Sequence, residues 1–107
     1  MPEILEQVVE DYLANEVEKL GGFSRKLKWI GRRAAPDRLV FYRGVYFVEL
    51  KRPKKEAEPA QKREHDRLRK QGALVCVINT KDQVDEFILA IQGDKKKWSS
   101  FQKGIKV

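Results

Sequence analysis

Cysteine and histidine occur once each in this chain, as Cys76 and His65. One cysteine excludes an internal disulfide, and its place in the apolar run Leu74 to Ile78 reads as a small buried hydrophobe rather than a reactive thiol. So few soft or imidazole ligands argue against a zinc site and against Ser-His or Cys-His catalysis. No apolar run approaches membrane-spanning length, and Met1-Pro2-Glu3 lacks the basic-then-apolar pattern of a secretion signal. These absences point to a reducing cytoplasm. They leave carboxylates, lysines and a metal ion as the means for any chemistry.

Charge is abundant. In 107 residues, 23 basic side chains face 16 acidic ones, for a net charge of +7. A surplus of that size suits a polyanionic partner, most simply nucleic acid. The length fits one domain, residues 1–107, with a modest core, and there is no internal repeat or linker.

Apolar residues Ile4, Leu5, Val8, Val9, Tyr12, Leu13, Val17 and Leu20 recur at three- and four-residue steps, so 3–20 reads as a helix stopped by Gly21-Gly22. Glu6 and Glu10 lie on its flank. A strand is expected from Phe23 to Ile30, then a loop from Gly31 to Pro36 carrying Arg32 and Arg33. Leu39 to Tyr42 and Val45 to Leu50 read as a hairpin around Arg43-Gly44. Arg52 to Pro59 is a charged connector. Pro59 suits the first turn of a basic helix running to about Gln71 and ending at Gly72, with Gln61, His65 and Leu68 on one face. Leu74 to Asn79 is a strand. Thr80 with Gln83 reads as a capping box for a helix over 81–92 that buries Val84, Phe87, Ile88 and Ile91. In the tail, Lys95, Lys96, Lys97, Trp98 and Phe101 fit a nucleic-acid grip, a subunit contact, or a short helix docking its aromatics on the core. The order α-β-β-β-α-β-α, with a helical crossover making the last two strands parallel, gives an α/β fold: a mixed sheet with helices on both faces.

One residue breaks the apolar pattern of the second hairpin strand. Glu49 lies two positions before Lys51, on the same strand face, and Asp37 opens the partner strand. About two acid-x-Lys matches arise by chance in such a composition. The other match, Asp94-Lys95-Lys96, lies in a polar tail, whereas Glu49 sits where a charge is costly unless paired or metal-bound. The residues alone allow a metal site or a salt bridge closing the sheet end. A strict two-residue loop would pair Asp37 with Leu50 and turn it away from Glu49. A shared site therefore requires a one-residue offset, pairing Asp37 with Lys51 through a bulge at a left-handed Gly44, or else a splayed strand start.

Taken together, Gly21-Gly22 after an amphipathic helix, Lys28-Trp29, Pro36-Asp37-Arg38, Phe47-Val48-Glu49-Leu50-Lys51 and Gln61-Lys62-Arg63-Glu64-His65 resemble a stand-alone VRR-NUC domain. This is the virus-type replication–repair branch of the PD-(D/E)XK nuclease superfamily. The likeness runs from about Glu10 to Phe87, with Ala35 where the family usually has glycine. It implies a restriction-endonuclease-like core and Mg2+ or Mn2+ bound by Asp37 and Glu49, with the Leu50 carbonyl as a further ligand. Lys51 would position or deprotonate the attacking water, or stabilise phosphate charge. Gln61 would position the backbone or the water, and Glu10 would complete the metal shell, with Glu6 as its substitute. The resemblance also implies a homodimer acting on branched or duplex DNA, Holliday-junction-like, with no small-molecule cofactor. Candidate nucleic-acid contacts are Lys26, Lys28, Arg32, Arg33, Arg38, Arg52 and Lys62, with Lys95, Lys96 and Lys97 of the tail. Two rivals remain: a basic nucleic-acid-binding protein without catalysis, and a protein-interaction module in which Asp37, Glu49 and Lys51 are an ion cluster.

Overall fold

A computed structural model describes residues 2–52, 55–93, 98 and 101. The elements run α1 (Pro2–Lys19), β1 (Phe23–Lys26), β2 (Arg38–Phe41), β3 (Val45–Leu50), α2 (Pro59–Lys70), β4 (Leu74–Ile78) and α3 (Lys81–Gln92). The four strands form one sheet in sequence order, antiparallel from β1 to β3 and parallel between β3 and β4. The order, the mixed sheet and the α2 crossover are those expected from the sequence.

Strand alternation separates two faces. Val40, Tyr46, Val48, Leu50, Cys76 and Ile78 form one core with Val9, Leu13 and Val17 of α1 and Val84, Phe87 and Ile91 of α3. Ala90 of α3 is buried in place of Ile88, which is only partly so. Trp98 and Phe101 complete this core, with Trp98 tilted 5.0 Å from Tyr46 and 6.0 Å from Phe87. The tail aromatics thus serve packing, while Lys95, Lys96 and Lys97 lie outside the described residues. On the opposite face Val75, Val77 and Glu49 are covered by α2.

The helix ends follow local rules. Gly21 takes φ +92°, the Gly22 N–H donates to the Val17 carbonyl, and the Gly21 N–H donates to Glu18. Gly22 is needed for another reason. A Cβ there would lie 2.5 Å from the Phe41 carbonyl oxygen, so α1 meets β2 backbone to backbone. At α3 the Thr80 hydroxyl accepts from Gln83 N–H at 3.1 Å, but the Gln83 side chain accepts from Asn79 N–H, so only half of the expected box forms.

Two expectations about strands are corrected. β1 ends at Lys26 rather than Ile30, and Ile30 is 98% exposed. Its ladder reaches Leu27, whose N–H donates to the Asp37 carbonyl, and the chain then turns at Ile30-Gly31, with left-handed φ at Gly31 (+76°) and Ala34 (+70°), so no further rung forms. The hairpin is offset by one residue, but in the opposite direction. Arg38 faces Val48 and Phe41 faces Val45, so one further step sets Asp37 opposite Glu49, not Lys51. The loop is Tyr42 to Gly44, and its left-handed residue is Arg43 (φ +52°) instead of Gly44. The parity that puts both carboxylates on one face is kept.

Candidate active site

Glu49 and Lys51 lie at the C-terminal end of β3, an interior strand whose neighbours are β2 and β4. The Lys51 N–H continues the parallel ladder by donating to Ile78, so Lys51 keeps strand direction and stays on the Glu49 face. Asp37 follows the buried Pro36, whose fixed φ orients the entry into β2. Although Asp37 is exposed as a residue, one end of its carboxylate is tucked against β3. Leu50 N–H donates to Asp37 Oδ2 at 2.7 Å. The register and this bond bring Asp37, Glu49 and Lys51 together.

Glu49 is the anomaly of the fold, a carboxylate 1% exposed on the α2 face. Its Oε2 accepts from Gln61 Nε2 at 2.8 Å and lies 3.3 Å from Lys51 Nζ. Its Oε1 is buried without a hydrogen-bond partner among the described residues. Burial, and then the charge of Asp37, push its pKa up to about 7 against the pull of Lys51 and Gln61. Burial also raises the Asp37 pKa, opposed by Leu50 N–H and Lys51.

Gln61 is set by its helix. Pro59 is N1 of α2, Glu58 the N-cap and Gln61 the N3 residue, and Glu58 N–H donates to Gln61 Oε1 at 2.8 Å. With the oxygen so engaged, the amide nitrogen must face Glu49.

Glu10 is not gathered with these groups. It lies on α1, and its Oε2 accepts from Arg38 Nε at 2.6 Å, while Arg38 Nη1 donates to Ser24 Oγ. Its charge, with that of Glu6, still acts on Asp37. Arg38, expected to contact nucleic acid, is instead only 13% exposed and occupied by these partners. Among the described residues, no three His, Cys, Asp or Glu side chains converge as a metal-holding group. Lys26, Lys28, Arg32 and Arg33 are exposed, Arg52 is half-buried, and Lys62 pairs with Glu56 at 3.1 Å.

The sequence reading missed Trp29, Glu64 and Arg67. Glu64 is buried and accepts from Trp29 Nε1, Arg32 Nη2 and Arg67 Nη1. Arg67 is the one local signal, three residues after Glu64 on a helix. His65, expected as an ordinary helix-face histidine, is fully buried, with both ring nitrogens unpartnered among the described residues. Among the described residues no helix is long and apolar enough to cross a membrane.

No family model matches the chain. It is similar to "Putative nuclease p44" of Acyrthosiphon pisum secondary endosymbiont phage 1, 42% identical over 81 residues that cover 74% of this chain and 87% of that protein. Among solved structures it is similar to one named "VRR_NUC domain", with a TM-score of 0.73 and 45% identity, covering 78% of this chain and 94% of that one.

Proposed function

The chain belongs to the VRR-NUC family of nucleases, and from that membership we propose that it hydrolyses DNA phosphodiester bonds with Mg2+ or Mn2+ held at Asp37 and Glu49. The observation that carries this reading is Glu49 Oε1, a buried carboxylate oxygen that no group among the described residues satisfies. Leaving such an oxygen unpaired costs free energy, and a cation would remove that cost. The donor set is entirely hard oxygen, including the Leu50 carbonyl, which suits these two ions. Two carboxylates suffice, because Mg2+ commonly takes its remaining ligands from water and substrate phosphate. When bound, the ion would supply Lewis-acid polarisation of the phosphate and a more acidic water.

The chain's own groups do the rest. Lys51 places an ammonium beside Glu49, where it would stabilise charge developing on the phosphate oxygens. Gln61 keeps Glu49 Oε2 occupied, which leaves Oε1 as its free edge, and its second amide hydrogen is available to water or backbone. Leu50 N–H fixes Asp37 from one side. Glu10, whose Oε2 is held by Arg38, would join through water at its other oxygen.

The finer reading is a homodimer that cuts branched DNA, since two sites on a symmetric body would match two strands of a junction. Labelled four-way junctions, flaps and linear duplexes incubated with each metal test it, alongside sedimentation of the free protein. Cutting should require Mg2+ or Mn2+, favour the branched forms, and disappear in Lys51→Ala while DNA binding persists. No cutting of any form with either metal would leave a nucleic-acid-binding protein, a reading favoured only by the net charge of +7.

A further inference from the structure

Several arginines have no part in the chemistry proposed above. A cleft of about 190 Å3 opens between the 31–36 loop and α2, walled by Arg32, Arg33, Arg63 and Arg67. Its one acid, Glu64, is turned inward, with a side chain 9% exposed. Glu64 Oε1 accepts from Arg32 Nη2 at 3.2 Å and from Arg67 Nη1 at 3.0 Å, and Oε2 accepts from Trp29 Nε1 at 2.8 Å. One carboxylate therefore draws together guanidiniums from a loop and a helix. Each spends a single donor on it, and the side chains of Arg32 and Arg67 remain 55% and 60% exposed. Four arginines against one carboxylate leave a surplus of three positive charges.

The cleft shares helix α2 with the carboxylate site. Ala60, on its wall, precedes Gln61, and Glu64 follows Gln61 by three residues, about 4.5 Å along the helix axis. Planar guanidinium forks match phosphate oxygens better than point charges do. We propose that Arg32, Arg33, Arg63 and Arg67 form a second phosphate subsite, which seats a nucleic-acid phosphate near the one being cut, and that Glu64 is the positioning residue that holds its geometry. This rests on the nuclease reading for the identity of its ligand.

The test is metal-free binding of labelled duplexes in EDTA, each carrying one neutral methylphosphonate linkage at a different position, with 5′-phosphate and 5′-hydroxyl ends compared. Neutralising one internal linkage, or removing the terminal phosphate, should weaken binding about tenfold, and the two arms tell which phosphate is seated. That dip should vanish in Arg32→Ala/Arg67→Ala. It should also shrink in Arg63→Ala, which leaves every bond to Glu64 in place. The salt dependence of log K should fall by about one in the single Arg67→Ala variant and no further in the double, because both groups serve one phosphate. Glu64→Gln should weaken binding although it raises the net charge. A uniform response at every linkage together with equal binding of 5′-phosphate and 5′-hydroxyl ends, a dip that survives in the double variant, a second step in the salt slope, or tighter binding by Glu64→Gln would each overturn the subsite. Circular dichroism confirms that the variants fold. No cleavage enters the readout, so a protein that never cuts DNA is recognised separately.

Discussion

Replacing Glu49 by glutamine should stabilise the metal-free protein while abolishing cutting. Glu49 is 1% exposed, and its pKa is pushed from 4.5 to about 7 by burial and by Asp37. The folded protein thus holds this proton more tightly than the unfolded chain does. Its contribution to stability is greatest below about pH 4.5, falls as the pH rises toward 7, and levels off above that. The full interval corresponds to about 3 kcal/mol of destabilisation at alkaline pH. Glutamine keeps the shape and has no charge to desolvate, but it deprives Lys51 of its partner, so we expect a gain of about 2 kcal/mol at pH 8. For a chain of this size that is a rise in Tm of about 10 °C. Thermal unfolding in EDTA at pH 8 and pH 4, followed by circular dichroism, measures it. The two proteins should melt together at pH 4, where the carboxyl is largely protonated in both states. Mn2+ should then raise the Tm of the wild type and leave Glu49→Gln unmoved. A variant no more stable than wild type at pH 8 would refute the idea that this carboxylate is held against its own solvation.

Burial, aided by Arg69, holds the His65 pKa down at about 4, so its contribution runs the other way, with stability lost as the pH falls from 6.5 toward 4. His65→Leu should remove that acid loss, up to about 3 kcal/mol, with little change at neutral pH; urea midpoints at both ends of the range decide. Gly22→Ala should destabilise by about 2 kcal/mol, because its methyl would meet the Phe41 carbonyl at 2.5 Å and Val17 Cγ1 at 3.1 Å. An unchanged urea midpoint would show that α1 can shift off β2.

Much of this was legible because it is local. Helix ends at Gly21, Gly72 and Thr80 depend on a few neighbouring residues and follow from residue type. Glu49 stood out as a charge on an apolar strand, and the parity of the hairpin followed from requiring two acids on one face. The direction of the offset did not, since it depends on Arg43 taking a left-handed conformation that nothing in its chemistry announces. The end of β1 was hidden for a related reason: it coincides with left-handed backbone at Gly31 and at Ala34, which alanine does not announce, while the apolar pattern of β1 runs on past it. The hub at Glu64 joins residues 32 and 35 positions distant in sequence, so no local spacing reports it.

The Gln61 side chain ties the first turn of α2 to the carboxylate of Glu49. Helix initiation and the setting of the reactive edge are therefore a single mechanical event. Fraying of that turn would free the amide and let the acid swing. Glutamate, which serves a capping box as well as glutamine does, would start the helix equally well, yet it would aim a second anion at the first. The choice between two residues that are equivalent for folding is thus made by the neighbour across the gap.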